Sequence, residues 1–384
     1  MSQFATVIGM DLGDKTAHLC VLDAEGEVLE EAVLRLSKAA INTRFGALPA
    51  TRVVMEVGSN SRWVGAHIAE LGHEVLVADA RQLKLISASN TKSDRNDAEI
   101  LARLGRADDL KLLKPVVHRS EATHTALAVV RSRKVAVQAR VQLINSVRGQ
   151  LKSMGHRLPG TATYRFHRLL DQVPPRARPA IEPLMAAIAQ LSLTIATFDG
   201  EIERIGQEDF PETELLRQVP GVGPIVALTF LLTIEDPSRF ESTRAVGAYL
   251  GLVPRRSQSG GVDPRLSITK AGDVYLRKLL NQSAHYVLGH FGPDCELRRW
   301  GLKMAGEDGI NKRKAVTAVA RKLSVLLLTL WKTGSVYEPF HHGGRPEAQE
   351  RILEGERATT SPFLPREDGT RAGSLAPSVG QAVG

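Results

Sequence analysis

Four acidic residues, Asp11, Glu56, Asp94 and Asp97, have the types and spacing that could do chemistry. Asp11 closes the apolar run Val7-Ile8-Gly9-Met10, and Glu56 closes Val53-Val54-Met55. Asp94 and Asp97 lie in Thr91-Lys92-Ser93-Asp94-Arg95-Asn96-Asp97-Ala98, at the head of a helix-like stretch. Two carboxylates at strand ends and two one helical turn apart can converge on one point. Such a cluster repels itself unless cations neutralise it, and hard divalent ions prefer oxygen ligands. Two such ions, about 3.5–4 Å apart, clamp the attacking and leaving oxygens of a phosphodiester. The set therefore points to phosphoryl transfer on nucleic acid. Taken singly, each acid also suits a strand end or a helix cap, Ser93 and Asp94 especially. It is the order strand–Asp, strand–Glu, Asp-x-x-Asp that favours metal.

A second region has a different chemistry. Gln218-Val219-Pro220-Gly221-Val222-Gly223-Pro224 precedes the apolar run Ile225–Thr233. This is the pattern of a helix-hairpin-helix. Gly221 and Gly223 would let backbone N–H groups approach a phosphate at the positive end of the next helix, without reading sequence. Pro224 suits the first helical position. The same pattern also fits a plain helix–helix turn. Further on, Tyr249-Leu250-Gly251-Leu252-Val253-Pro254-Arg255-Arg256 leads to Ser259-Gly260-Gly261, then Arg265, Ile268-Thr269-Lys270 and Arg277. A serine hydroxyl attacks phosphorus only when positioned and activated. Arg255, Arg256, Arg265 and Lys270 could neutralise charge on a five-coordinate transition state. By spacing alone Ser-Gly-Gly reads as a flexible turn, and Ser257 and Ser267 are rival hydroxyls.

The elements that must position these groups follow from hydrophobic periodicity. Strands are expected at Ala5–Met10, Ala17–Leu22, Val28–Leu34, Arg52–Val57 and Glu74–Ala78. Helices are expected at Ser37–Leu48, Ser61–Leu71 and Asp94–Gly105, and Asp23-Ala24-Glu25-Gly26 signals a hairpin turn. A three-strand meander followed by alternating helices and strands matches a ribonuclease H-like α/β domain over residues 1–115. Residues 118–158 repeat apolar side chains at Leu127, Val130, Val137, Val141, Ile144 and Leu151, with Lys134 and Arg148 on the same seam. Residues 180–207 carry a cleaner heptad, Ile181, Leu184, Ile188, Leu191, Ile195, Phe198, Ile202 and Ile205. With Pro159–Arg178 turning the chain back, 116–210 reads as an antiparallel coiled-coil arm, or as two core helices of a bundle. Arg131, Arg133, Lys134, Arg140, Arg148 and Lys152 suit a solvated face or one facing nucleic acid. Residues 211–335 read as all-helical around a Gly-rich loop, and 336–384 as a disordered tail.

Composition narrows the partners. The 384 residues carry a net charge of +8 and are 43% hydrophobic, enough for two or three cored domains with a polyanion partner. No stretch is expected to span a membrane, and no signal peptide is evident. The two cysteines, Cys20 and Cys295, lack metal or disulfide spacing, which suits a reducing cytoplasm.

Together these motifs resemble one family. Asp11, Glu56 and Lys92–Ala98 look like the DEDD set of the insertion-sequence one-ten type transposases. Val219–Gly223, Tyr249–Pro254 and Ser259-Gly260-Gly261 look like that family's C-terminal transposase domain. The resemblance covers residues 1 to about 335. It implies a RuvC-like domain whose Asp11, Glu56, Asp94 and Asp97 hold Mg²⁺, two ions per site, and Ser259 as the nucleophile that links covalently to DNA. It further implies double-stranded DNA at element ends and target, a structured guide RNA encoded by the element, and a homo-oligomer, as a tetramer, with acidic and serine parts from different protomers. The setting would be the bacterial cytoplasm and its nucleoid. Two rival functions remain on the residues alone: a junction-resolving metal nuclease that ignores Ser259, and an idle DNA-binding relic.

Overall fold

The computed structural model describes residues 4–79, 94–106, 115–258, 264, 266–306 and 311–340. Ser259, Arg265, Lys92, Ser93 and the tail from 341 onward lie outside the described residues. The chain divides into two compact units, between His124 and Thr125.

In the first unit, β1 (Val7–Leu12), β2 (Thr16–Leu22) and β3 (Val28–Arg35) form an antiparallel meander, and β4 (Arg52–Glu56) and β5 (Glu74–Ala78) continue the sheet in parallel. The order is β3-β2-β1-β4-β5. The Asp23 carboxylate accepts the Gly26 N–H (2.7 Å) and tightens the first hairpin, where Gly26 adopts φ +93°. α1 (Lys38–Phe45) starts at Ser37, whose hydroxyl accepts the Ala40 N–H, and α2 (Ser61–Glu70) follows β4.

Alternation sorts the strand side chains between two faces. Ile8, Met10, Leu19, Val53, Met55 and Val77 pack with Ile41, Phe45, Val64 and Ile68 of α1 and α2. On the opposite face Val7, Val54 and Ala78 pack against Leu101 and Leu104, and Cys20 and Leu22 pack against Ala98 and Ala102. These four belong to α3 (Asp94–Arg106). The helix lies very close to the sheet. A Cβ on Gly9 would sit 1.9 Å from the Ala98 carbonyl oxygen, and one on Gly105 would sit 2.3 Å from Val54 Cγ2. Small residues on both sides permit that approach. The Arg52 guanidinium donates to the Gly105 carbonyl (3.0 Å), and an Arg95–Glu31 ion pair ties the other end of the helix.

The second unit is helical. Two long helices, α4 (Glu121–Ser153) and α5 (Arg178–Glu208), run antiparallel: Arg133 pairs with Asp199, and seven residues on Arg140 donates to Ser192, seven residues back (3.2 Å). Of the heptad positions, Ile181, Ile188, Ile195, Ile202 and Ile205 are buried, and Leu184, Leu191 and Phe198 are half-buried. The connection is more ordered than its prolines and glycine suggest. Thr163–Gln172 and Pro175–Ala177 are 3-10 helices that bring Phe166, Val173 and Ala177 against Ile144, Val147, Leu151 and Ile181. A 3-10 turn repeats every three residues, so it leaves neither a heptad nor an alternating pattern. By length and composition, the helix spanning Pro175–Glu208 could cross a membrane, with mean hydropathy 1.4. That differs from the expectation that no stretch would. The helix's buried residues Ile181, Met185, Ile188, Ile202 and Ile205 pack against α4 and the 3-10 segment.

The seam cations are not all solvated. Arg148 donates to the Leu158 and Pro159 carbonyls just beyond α4, and Lys134 lies over the Tyr275 ring. Beyond the arm come α6 (Glu212–Arg217), α7 (Pro224–Ile234), α8 (Val246–Tyr249), α9 (Val274–Leu288), α10 (Glu296–Ala305) and α11 (Lys312–Thr333). Their core joins Leu216, Phe230, Leu231, Leu280, Val319, Leu323 and Leu327. Residues 336–340, assigned by composition to the tail, run along this core. The Glu296 N–H donates to the Pro339 carbonyl (2.9 Å), and Arg299 stacks on Phe340.

Candidate active site

The acidic site is built on the α3 face of the sheet. Met10 and Met55 are the last residues that β1 and β4 pair with each other, so Asp11 and Glu56 follow them side by side. Asp11 lies two residues beyond Gly9, and Glu56 two beyond Val54, so alternation turns both toward α3. Asp97 sits in the first turn of α3, next to Ala98, whose carbonyl presses on Gly9. Three of the four sequence-predicted acids thus share one face and one end of the sheet.

Asp97 is 5% exposed, and its Oδ1 has no hydrogen-bond partner. A buried carboxylate with an unmet oxygen is costly in an apolar setting. Such an orphaned oxygen, on the sheet face toward which Asp11 and Glu56 alternate, fits a bound hard cation.

Asp94 behaves differently. Its side chain is 70% exposed and stands 3.6 Å from His18, which pairs across the strands with Asp11. Three-residue spacing does not make equals of Asp94 and Asp97: one points outward and the other is sealed beneath the helix. Among the described residues, no three His, Cys, Asp or Glu side chains gather closely enough to hold an ion as they stand. His18 had no sequence signal beyond its place on β2. Cys20 lies on the same face, where burial, with Glu99 and Glu31 nearby, pushes its thiol up to about 11.

In the second unit, the turn between α6 and α7 is tight. The Val222 N–H donates to the Val219 carbonyl (3.0 Å), and Gly221 adopts φ +82°. Gly223 caps α7 and Pro224 is its first residue. A cavity of about 490 Å³ opens at Gly221 and Gly223 and is backed by Ser283, whose buried hydroxyl has no partner.

The serine loop springs from a pinch of backbone. Pro254 and Ile268 form an antiparallel bridge, Arg255 N–H donates to the Ser267 carbonyl (2.9 Å), and Thr269 N–H donates to Val253 (2.9 Å). Arg255 also donates to the Ser267 hydroxyl (3.1 Å), so Ser267 is fastened into the neck. Arg255 and Arg256 are exposed, and Lys270 adopts φ +58°. Arg277, in the basic run that begins at Arg255, is buried, and its guanidinium donates to the Leu250 carbonyl (2.9 Å) beneath the neck.

Residues 8–156 match a family model for transposases of the DEDD, IS110 type, and residues 213–297 match the model described as the IS116/IS110/IS902 transposase family. The first implies a ribonuclease H-like fold, which the five-stranded mixed sheet fits. The chain is 26% identical over 341 residues to the transposase for insertion sequence element IS1111A of Coxiella burnetii, covering 86% of this chain and 91% of the relative. It is 30% identical over 327 residues to a Sinorhizobium fredii protein named as a transposase, y4rJ, covering 77% and 80%. A pilin gene-inverting protein of Moraxella lacunata is 33% identical over 110 residues, 28% of this chain and 33% of that one.

Proposed function

This chain belongs to the IS116/IS110/IS902 transposase family, an enzyme family of DNA transposition, and from that premise we propose a two-part chemistry: Asp11, Glu56, Asp94 and Asp97 hold Mg²⁺, and the Ser259 hydroxyl is the nucleophile. The buried, unpartnered oxygen of Asp97 carries the metal half of this reading. Bound divalent ions would stabilise charge on the attacking and leaving oxygens. The chain's own residues do the rest. Asp11 is the penultimate residue of β1 and Glu56 the last of the adjacent β4, which fixes their backbones, and α3 carries Asp97 on the same face.

In the proposed strand transfer, Ser259 Oγ bonds to the scissile phosphorus, its proton goes to solvent, and the sugar oxygen leaves and gains a proton. Attack by a sugar hydroxyl on the phosphoserine reverses each change and frees the serine. One phosphodiester is exchanged for another, so no nucleotide cofactor is consumed. Arg255, Arg256, Arg265 and Lys270 supply positive charge to the phosphorus, as the basic neck of the loop suggests.

The turn Val219–Pro224 is read as a helix-hairpin-helix that holds DNA backbone through Gly221 and Gly223. We read 1–115 as the RuvC-like domain, 116–210 as an antiparallel coiled-coil arm and 211–335 as the transposase domain, with the chain working as a homo-oligomer, a tetramer. A structured RNA encoded by the element is the proposed reader of sequence, leaving the protein to grip shape and backbone.

The test is a denaturing gel of full-length protein, Mg²⁺, element-end DNA and RNA from the flanking region. Wild type should give a protein–DNA adduct that protease removes, and Ser259→Ala should give none while binding DNA normally. Cleavage by Ser259→Ala at the wild-type rate would leave a junction-resolving nuclease in place of the serine mechanism.

A further inference from the structure

A cavity of about 590 Å³ lies beside α4 and α5, against the 3-10 segment Thr163–Gln172. Its wall holds Arg133, Arg140 and Arg168 against a single carboxylate, Asp199, with His167 and Ser192 between them. Asp199 is spent on Arg133. Arg140 is 8% exposed, and Ser192 satisfies only part of its fork: the Nε–H has no partner. The Nδ1 of His167 is likewise buried without a partner. Burial first, and Arg133 second, hold the Arg140 guanidinium below its ordinary value, while Asp199 pulls the other way.

A buried guanidinium with an unmet N–H is costly unless an anion meets it. Planar, forked donors suit phosphate oxygens well. At the rim, Tyr164 is 54% exposed with Arg165 stacked on its ring, a surface on which a base can lie. We propose that this cavity binds a phosphate of a nucleic-acid backbone, a contact separate from both the carboxylate site and the α6–α7 turn. The proposal rests on the reading of this chain as a nucleic-acid enzyme and adds a site to it.

The rival explanation is mechanical: Arg140 merely braces α4 against α5. Arg168 is exposed and takes no part in that brace, so Arg168→Glu tests the site without threatening the fold. The full chain would be titrated, by fluorescence anisotropy across a KCl series, with labelled duplex DNA in one arm and a labelled RNA hairpin in the other. Arg168→Glu should weaken at least one arm about tenfold and flatten its salt slope by about one. The arm affected identifies the polymer. Arg140→Met should weaken the same arm, with its thermal midpoint recorded to separate binding from folding. Unchanged affinity and slope in both arms for Arg168→Glu overturns the proposal, as does an Arg140→Met protein that melts earlier but binds normally. Wild type that binds neither polymer overturns the broader nucleic-acid reading as well.

Discussion

Asp97→Asn is expected to lower Mg²⁺-dependent strand cleavage by about 10³-fold or more, since metal-held charge supplies several kcal/mol of transition-state stabilisation. The same substitution should leave the ion-free protein at least as stable as wild type. Neutralising a buried carboxylate with an unmet oxygen removes a desolvation cost. The two effects separate a ligand from a structural acid, whose loss would lower stability and activity together. Calorimetry gives a readout independent of catalysis. Saturating Mg²⁺ should raise the melting temperature of wild type, by the ordinary linkage of binding to folding, and leave Asp97→Asn nearly unmoved. Equal Mg²⁺ responses with equal cleavage rates would sink the metal assignment. Asp94→Asn should be milder, because Asp94 is exposed beside His18.

Gly9→Ala should be the most damaging single-methyl change in the first unit. Its Cβ would fall 1.9 Å from the Ala98 carbonyl oxygen and 2.5 Å from the Ala102 nitrogen, both backbone atoms of α3. No rotamer change relieves that overlap, so the helix must lift from the sheet. Overpacking costs about 1–3 kcal/mol, and a backbone clash belongs at or above the upper end. A loss of about 3 kcal/mol lowers melting by roughly 10 °C in a unit of this size. Lifting α3 also carries Asp97 away from Asp11 and Glu56, so cleavage should fall with stability. Gly58→Ala is the control: its Cβ would meet nothing within 4 Å. If Gly9→Ala melts with the control and still cleaves, the close helix–sheet contact is wrong.

The sheet was legible because two-residue alternation and turn residues are written plainly into β1–β5, and helical spacing over Ser37–Leu48 marked α1. Asp11 and Glu56 were legible because each ends an apolar run. The exposure difference between Asp94 and Asp97 was not, since helical spacing fixes angle along an axis and says nothing of what lies below. Of the small residues that seat α3, Ala98, Ala102 and Gly105 share one helix face, but Gly9, the residue they meet, stands some ninety positions away, so the contact has no local signature. Arg140 and Arg148 suited a solvated face, and Arg277 stood as one member of a basic run, because type alone does not reveal a buried partner. Each is held by carbonyl or hydroxyl oxygens that only the tertiary structure supplies.

The neck at Val253–Arg255 and Ser267–Thr269 has an evolutionary consequence. Its cross-links, together with Arg277, already bring the two ends of the intervening stretch together. Adding two or three residues there would change closure entropy by only about a few tenths of a kcal/mol. Descendants of this gene can therefore vary the length of the segments flanking Ser259 while inheriting the helices unchanged.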